Sequence, residues 1–74
     1  MTDGVKRSVT IAKHRTSVSL EQEFWNGMGD VARARGLSLN KLIAENDADR
    51  DPEQGLSSAL RVFVLEWFQN KSAD

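Results

Sequence analysis

The chain has 74 residues, contains no cysteine and carries a formal net charge of −1. Such a length allows one domain at most, and without cysteine neither a disulfide framework nor a cysteine-ligated zinc site can stabilise it. The single histidine argues against a multi-histidine metal site, no apolar stretch approaches the roughly 20 residues of a membrane span, and the N-terminus lacks the apolar core of a signal peptide. We therefore expect a soluble, cytoplasmic protein with no metal, no cofactor and no membrane contact.

The near-neutral charge conceals an uneven distribution along the chain. Residues 1–20 contain four basic residues and one acidic residue, whereas residues 37–55 contain two basic and five acidic residues. Positive potential at the start of the chain is compatible with a nucleic-acid partner, particularly if two copies place it side by side. A solvated basic tail without a partner is the alternative interpretation.

Residues 14–20 alternate strictly in polarity. One set of side chains comprises Thr16, Val18 and Leu20, and the other comprises Arg15, Ser17 and Ser19. A period of two predicts a strand that buries one face. Because an isolated strand leaves its backbone groups unpaired and the following elements are predicted helices, we expect its partner to be the same strand of a second copy.

The preceding residues 5–13 also alternate, but with the opposite parity. One regular strand cannot bury both apolar sets on one face, so either a bulge or turn near residues 12–14 shifts the parity or the first segment is separate. A separate segment is either a basic arm, in which Lys6 and Arg7 are suited to contact a nucleic-acid backbone or groove, or an extra edge strand beside the strand at residues 14–20.

Two helices are predicted after the strand. The first, from Glu21 to Arg35, has one apolar stripe formed by Phe24, Trp25, Met28, Val31 and Ala32. Gly27 and Gly29 each weaken this helix by about 1 kcal/mol relative to alanine, and the sequence does not indicate what packs there. Gly36 is suited to end the helix and Ser38 to cap the next one, which buries Leu42 and Ile43.

A third helix is predicted at residues 56–70, after an acidic connection at residues 49–55 and before a tail at residues 71–74. Its β-branched and aromatic content would also suit a strand, but the serine start and the Leu-x-x-Phe-Val-x-x-Trp spacing favour a helix. Apolar residues lie on nearly all its sides, so it must be buried on more than one of them.

One strand and two helices, with Arg35-Gly36-Leu37-Ser38 between the helices and Leu42-Ile43 one turn later, resemble the ribbon-helix-helix family of the Arc and methionine repressors. The resemblance covers a core at residues 13–48 and leaves residues 1–12 as a basic arm or extra strand. It implies a mainly α fold with one short β-strand, built as an intertwined homodimer with an intersubunit antiparallel two-stranded ribbon. The third helix departs from the family pattern.

The resemblance also implies site residues, because in this family the ribbon enters the major groove of double-stranded DNA and its outward side chains read base edges. The base-contacting residues would be Arg15, Ser17 and Ser19. The phosphate-contacting residues would be Lys13, His14, Ser38, Leu39, Asn40 and Lys41, with Lys6 and Arg7 as arm contacts. The dimer core would comprise Thr16, Val18, Leu20, Phe24, Met28, Val31, Leu42 and Ile43.

The implied function is that of a sequence-specific DNA-binding protein, a small transcriptional repressor or autoregulator whose dimers also assemble side by side on DNA. The alternative is an antitoxin-like or other interaction module that holds a partner protein through the third helix and binds DNA weakly or not at all. An enzyme is not expected, because no nucleophile is paired with a base and the acidic residues cluster in the connection.

Overall fold

The computed structural model describes residues 4–72 as two strands followed by three helices. The elements are β1 (Val5–Ile11), β2 (His14–Leu20), α1 (Gln22–Arg35), α2 (Leu39–Asp49) and α3 (Leu56–Ser72). The predicted mainly helical architecture is confirmed. The outermost residues of the predicted arm and tail, 1–3 and 73–74, lie outside the described residues. Among residues 4–72, no helix combines the length and the hydropathy that crossing a membrane requires.

The two strands form an antiparallel hairpin within one chain. Ala12 and Lys13 join them with φ angles of 50° and 70°. Two successive positive φ angles are typical of a type I′ turn, whose twist matches that of paired strands. The sequence pattern predicts one strand that must find its partner in a second chain; the structure has two strands, and β1 supplies that partner. Residues 5–11 therefore form an extra strand and not an arm.

The turn also resolves the parity conflict between the two segments. Val5 lies opposite Leu20 and Val9 lies opposite Thr16. Since directly opposite residues of an antiparallel pair point to the same side, the odd-numbered apolar residues of β1 and the even-numbered ones of β2 share one face. All three helices pack on that side of the hairpin.

The hydrophobic core lies between this apolar face and the helices. Its buried members are Val18, Leu20, Trp25, Met28, Val31, Ala32, Leu42, Ile43, Leu60 and Val64. Six of the residues expected in a dimer core are thus buried within the single chain, while Thr16 and Phe24 are half-buried. Their burial requires no second copy, because α3 contributes Leu60 and Val64 to the same core.

The junction between α1 and α2 has the capping that the sequence predicts. Gly36 adopts a left-handed conformation at φ 67°, and the N–H of Leu37 donates to the carbonyl of Ala32 at 2.9 Å. The Oγ of Ser38 accepts from the N–H of Lys41 at 3.1 Å. The N–H groups of Leu37 and Lys41 are therefore satisfied locally, which fixes a short connection.

An ion pair ties α3 to the junction between β2 and α1. The Nε of Arg61 donates to Oε1 of Glu21 at 2.8 Å, and its Nη2 donates to Oε2 at 3.3 Å. The hydrogen bonds from Arg61 lower the pKa of the Glu21 carboxyl below its ordinary value, with a smaller contribution from the backbone N–H of Glu21 itself.

Candidate nucleic-acid interface

The hairpin face that points away from the helices is polar on β2. Arg15, Ser17 and Ser19 are exposed there, whereas Val18 and Leu20 are buried on the other side. The structure therefore gives these residues the outward and inward directions that the sequence alternation predicts. Their contact with bases stays a prediction.

The same face continues across β1. Lys6 lies opposite Ser19, Ser8 opposite Ser17, and Thr10 opposite Arg15, so each β1 residue shares the outward direction of its β2 neighbour. We call these residues the outer face: Lys6, Ser8, Thr10, Arg15, Ser17 and Ser19. All are exposed, and the set combines two cations and four hydroxyls with no carboxylate. Such a surface offers hydrogen-bond donors and positive charge to an anionic ligand.

In this part of the chain, the sequence-based prediction includes Lys6 but not Ser8 or Thr10. The signal that identifies them is the alternation of residues 5–11 itself, because apolar residues at odd positions leave even positions pointing away from the core. Treating the segment as an arm hides that regularity, since the side chains of an arm have no fixed direction.

Arg7 and Lys6, paired in the sequence-based prediction, lie on opposite sides of the hairpin. Arg7 lies opposite the buried Val18, and its guanidinium is 5.0 Å from the ring centroid of Trp25. The indole Nε1 of Trp25 in turn donates to the carbonyl of Val5 at 2.8 Å. Arg7 therefore stabilises the contact of β1 with α1 by a cation–π interaction and does not contribute to the outer face.

The start of α2 lies against the edge of β1. The Nδ2 of Asn40 donates to the carbonyl of Thr10 at 2.7 Å, and the N–H of Thr10 donates to Oδ1 of Asn40 at 3.3 Å. The Asn40 carboxamide thus pairs with β1 as a neighbouring strand would. Of the phosphate contacts expected at this helix start, the Asn40 side chain is engaged elsewhere, while Ser38 acts as the helix cap and Lys41 is exposed.

Lys13 and His14, the other expected phosphate contacts, lie at the tip of the hairpin. Both are exposed. His14 borders an open groove of about 270 Å³ that Asp47 and Arg50 also line. The hairpin tip therefore lies beside the C-terminal end of α2, whereas Asn40, at the start of that helix, is bonded to Thr10 near the turn end of β1.

The second edge of the hairpin, along β2, is open. In a two-residue hairpin the residues flanking the turn, Ile11 and His14, form a hydrogen-bonded pair, so bonded and non-bonded pairs alternate from there. Arg15, Ser17 and Ser19 consequently direct their backbone N–H and C=O groups away from β1. Within residues 4–72, no backbone hydrogen bond links this edge to another element. It is available for pairing with a further strand.

Comparison with known families agrees with this architecture. A family model described as a ribbon-helix-helix domain matches residues 4–68. The match extends beyond residues 13–48, on which the sequence resemblance rests, and includes β1 and most of α3. No curated protein and no solved structure is significantly similar to the chain.

Proposed function

The chain belongs to the ribbon-helix-helix domain family, whose members typically bind DNA, and from this membership we propose that it is a sequence-specific DNA-binding protein acting as a small transcriptional repressor or autoregulator. The observation that carries the proposal is the outer face, which is exposed and cationic and includes no carboxylate. Because the core is complete on the other side of the hairpin, these polar side chains have no packing role that would account for them.

The DNA-binding form is a homodimer in which the open edges of two β2 strands pair. The backbone groups available for this pairing belong to Arg15, Ser17 and Ser19. A twofold register centred on Ser17 aligns Arg15 of one copy with Ser19 of the other and pairs all seven residues of each strand. The resulting sheet has four strands, with the two β2 strands at its centre and one β1 strand on each side.

The central strands are suited to the major groove. Neighbouring strands are separated by about 5 Å, and the groove of B-form DNA is about 12 Å wide, so both β2 strands enter together. Arg15 has the fork geometry that binds N7 and O6 of guanine, while Ser17 and Ser19 donate or accept according to the base. Twofold symmetry predicts a palindromic site, with further dimers able to bind beside the first.

Phosphate contacts outside the ribbon fix its depth and register. The first-turn backbone amides of α2, at Leu39 and Asn40, are a suitable phosphate site, and the exposed Lys41 adds positive charge. Lys13 and His14 contact the DNA backbone from the hairpin tip. Asn40 acts here through its main chain, since its carboxamide is bonded to Thr10.

Selection from random duplex DNA at physiological salt tests the proposed function. Enrichment of one palindromic motif is expected, and Arg15→Gln should relax the preference at one base of each half-site at a cost of about 1–3 kcal/mol. Arg33→Gln is the matched control, because it removes the same charge from an arginine whose side chain is 76% exposed on α1. Recovery of no DNA, or of DNA without a shared motif, rejects sequence-specific binding.

A second candidate function is an antitoxin-like interaction module, and the outward side of α3 favours it. Val62 is 43% exposed and Leu65 is 53% exposed. The groove beside Val62 is also lined by Asp49 and Glu66, while the guanidinium of Arg50 in that groove is held in a local ion pair. An apolar surface with acidic neighbours is complementary to a basic amphipathic helix of a partner protein.

Surface substitutions test this second candidate better than removal of α3, because Leu60 is fully buried in the core and its loss would unfold the domain. The probe is a synthetic amphipathic helix with lysines on its polar face. The wild type should bind it, and a Val62→Asp, Leu65→Asp variant should not. Equal binding by both proteins, or binding by neither, rejects the interaction module.

A further inference from the structure

β1 presents a row of donors along the flank of the proposed ribbon. Lys6, Ser8 and Thr10 are exposed on the outer face, and the register aligns them with the three β2 residues expected to read bases. None of the three side chains belongs to the hydrophobic core. Their exposure and common direction allow the three side chains to meet any ligand that covers the outer face.

The dimensions of a four-stranded sheet determine what this row meets on DNA. Four strands about 4.8 Å apart place the two β1 strands about 14 Å from each other. The major groove is about 12 Å wide, so the β1 strands do not fit inside it together with the β2 strands. They lie over the sugar-phosphate backbones that form the walls of the groove.

We propose that β1 is a backbone-binding strand, in which Lys6, Ser8 and Thr10 contact phosphates on the two walls of the groove that the β2 strands occupy. This inference rests on the proposed function. An ammonium and two hydroxyls donate to phosphate oxygens without distinguishing bases, and contacts of this kind set position and affinity rather than sequence preference. In each chain, β2 therefore contacts the bases and β1 contacts the sugar-phosphate backbone of the DNA.

The neighbouring contacts define which part of β1 faces outward. Arg7, the strongest phosphate-binding residue type in β1, points away from the outer face and lies over Trp25. On the edge of β1 that faces away from β2, the main chain of Thr10 is hydrogen-bonded to the carboxamide of Asn40. The Asn40 contact therefore ties the turn end of β1 to α2, while pairing with β2 sets the distance of the outward row from the ribbon axis.

The salt dependence of Lys6→Gln tests the cationic contact. Binding of a labelled duplex that carries the selected palindrome, and of an unrelated duplex of equal length, is measured by fluorescence anisotropy over a range of KCl concentrations. One lost phosphate contact per protomer should reduce the slope of log K against log salt by roughly 2 for the dimer and weaken both duplexes by the same factor. Lys71→Gln, on the exposed end of α3, should leave the slope unchanged.

Ser8→Glu tests the central contact of the row by placing a carboxylate against phosphate. We expect at least about tenfold weaker binding to both duplexes, since like charges are brought together at the wall. Gln69→Glu makes the same change in net charge at an exposed position of α3 and should bind as the wild type does. Thermal unfolding verifies that each variant is folded.

The outcomes distinguish failure of the backbone-binding role of β1 from failure of the proposed DNA-binding function. Wild-type affinity for Lys6→Gln and Ser8→Glu, with loss of preference in Arg15→Gln, overturns the role of β1 and leaves sequence-specific binding intact. A Lys6→Gln variant that loses affinity only for the selected palindrome shows base reading by Lys6 and overturns the backbone assignment. Failure of the wild type to bind either duplex overturns both.

Discussion

Gly27 on α1 lies directly against the side chain of Val64 on α3. A β-carbon at residue 27 would stand 2.8 Å from Cγ1 of Val64 and 3.5 Å from Cε2 of Phe68, closer to Val64 than side chains tolerate. Gly29, two residues further along the same helix, would have only the Nη1 of Arg33 within range, at 3.7 Å. Helix propensity treats the two glycines alike, but only Gly27 permits the close approach of α1 and α3.

Alanine at these two positions should consequently have opposite effects. Gly27→Ala gains about 1 kcal/mol of helix propensity but overpacks the contact with Val64 at a cost of about 1–3 kcal/mol, so a net loss of up to about 2 kcal/mol is expected. Gly29→Ala should stabilise the protein by up to about 1 kcal/mol. Urea denaturation measures both changes, and a Gly27→Ala protein more stable than Gly29→Ala would contradict the assignment.

The Arg61–Glu21 ion pair should make the thermal stability of the protein depend on pH. Because the pKa of Glu21 is lowered in the folded chain, the pair stabilises above the ordinary value of 4.5, and this contribution is lost as the pH falls through the lowered value. Arg61→Gln should therefore have a lower Tm than the wild type at about pH 7, with a smaller difference in acid once the pH has fallen below 4.5 and through the lowered pKa of Glu21. A Tm difference that is the same at both pH values would show that Arg61 acts through packing alone.

Proline at Ser17 should prevent dimerisation without unfolding the hairpin. The N–H of Ser17 points away from β1, so proline removes a donor from the open edge and none from the β1–β2 ladder. Sedimentation should show monomers of Ser17→Pro with a wild-type circular dichroism spectrum. Ser8→Pro is the control, since Ser8 lies opposite Ser17 and directs its N–H to the other edge. A dimeric Ser17→Pro protein would place the subunit contact elsewhere.

Residues suited to positive φ in the turn between the strands should stabilise the protein. Ala12 and Lys13 both have positive φ, which costs a residue with a β-carbon about 1 kcal/mol or more. The combined change Ala12→Asn, Lys13→Gly supplies the residues that a type I′ turn prefers and should stabilise the protein by roughly 1–2 kcal/mol. Denaturant midpoints measure the gain, and Ala12→Val, a β-branched residue at positive φ, should lower them.

Local patterns predict much of this fold, whereas contacts between distant residues do not follow from them. The direction of Arg15 and Ser17, and the capping by Gly36 and Ser38, depend on neighbouring residues and agree with the sequence-based predictions. The sequence leaves the hairpin as one of several alternatives, because Ala-Lys has no glycine or asparagine to mark a type I′ turn and the strand parity is the only local indication of a turn near residues 12–14.

Two contacts that position the strands and helices join residues far apart in the sequence. Asn40 meets Thr10 across 30 positions, and Arg61 meets Glu21 across 40. In neither pair does the type of one residue, or its position in a sequence pattern, identify the other residue. The role of Arg7 shows the same limit, since a basic pair in the sequence is divided between two faces once the strand direction is fixed.

The carboxamide of Asn40 has a consequence for self-association. A hairpin with both borders unsatisfied could add copies repeatedly and grow into an insoluble fibre. Here a side chain satisfies the main chain of Thr10 near the turn end of one border, so pairing of a further strand along that side is obstructed. In the proposed dimer, symmetric pairing along the remaining border occupies it in both molecules at once, so assembly in the plane of the sheet would stop at two.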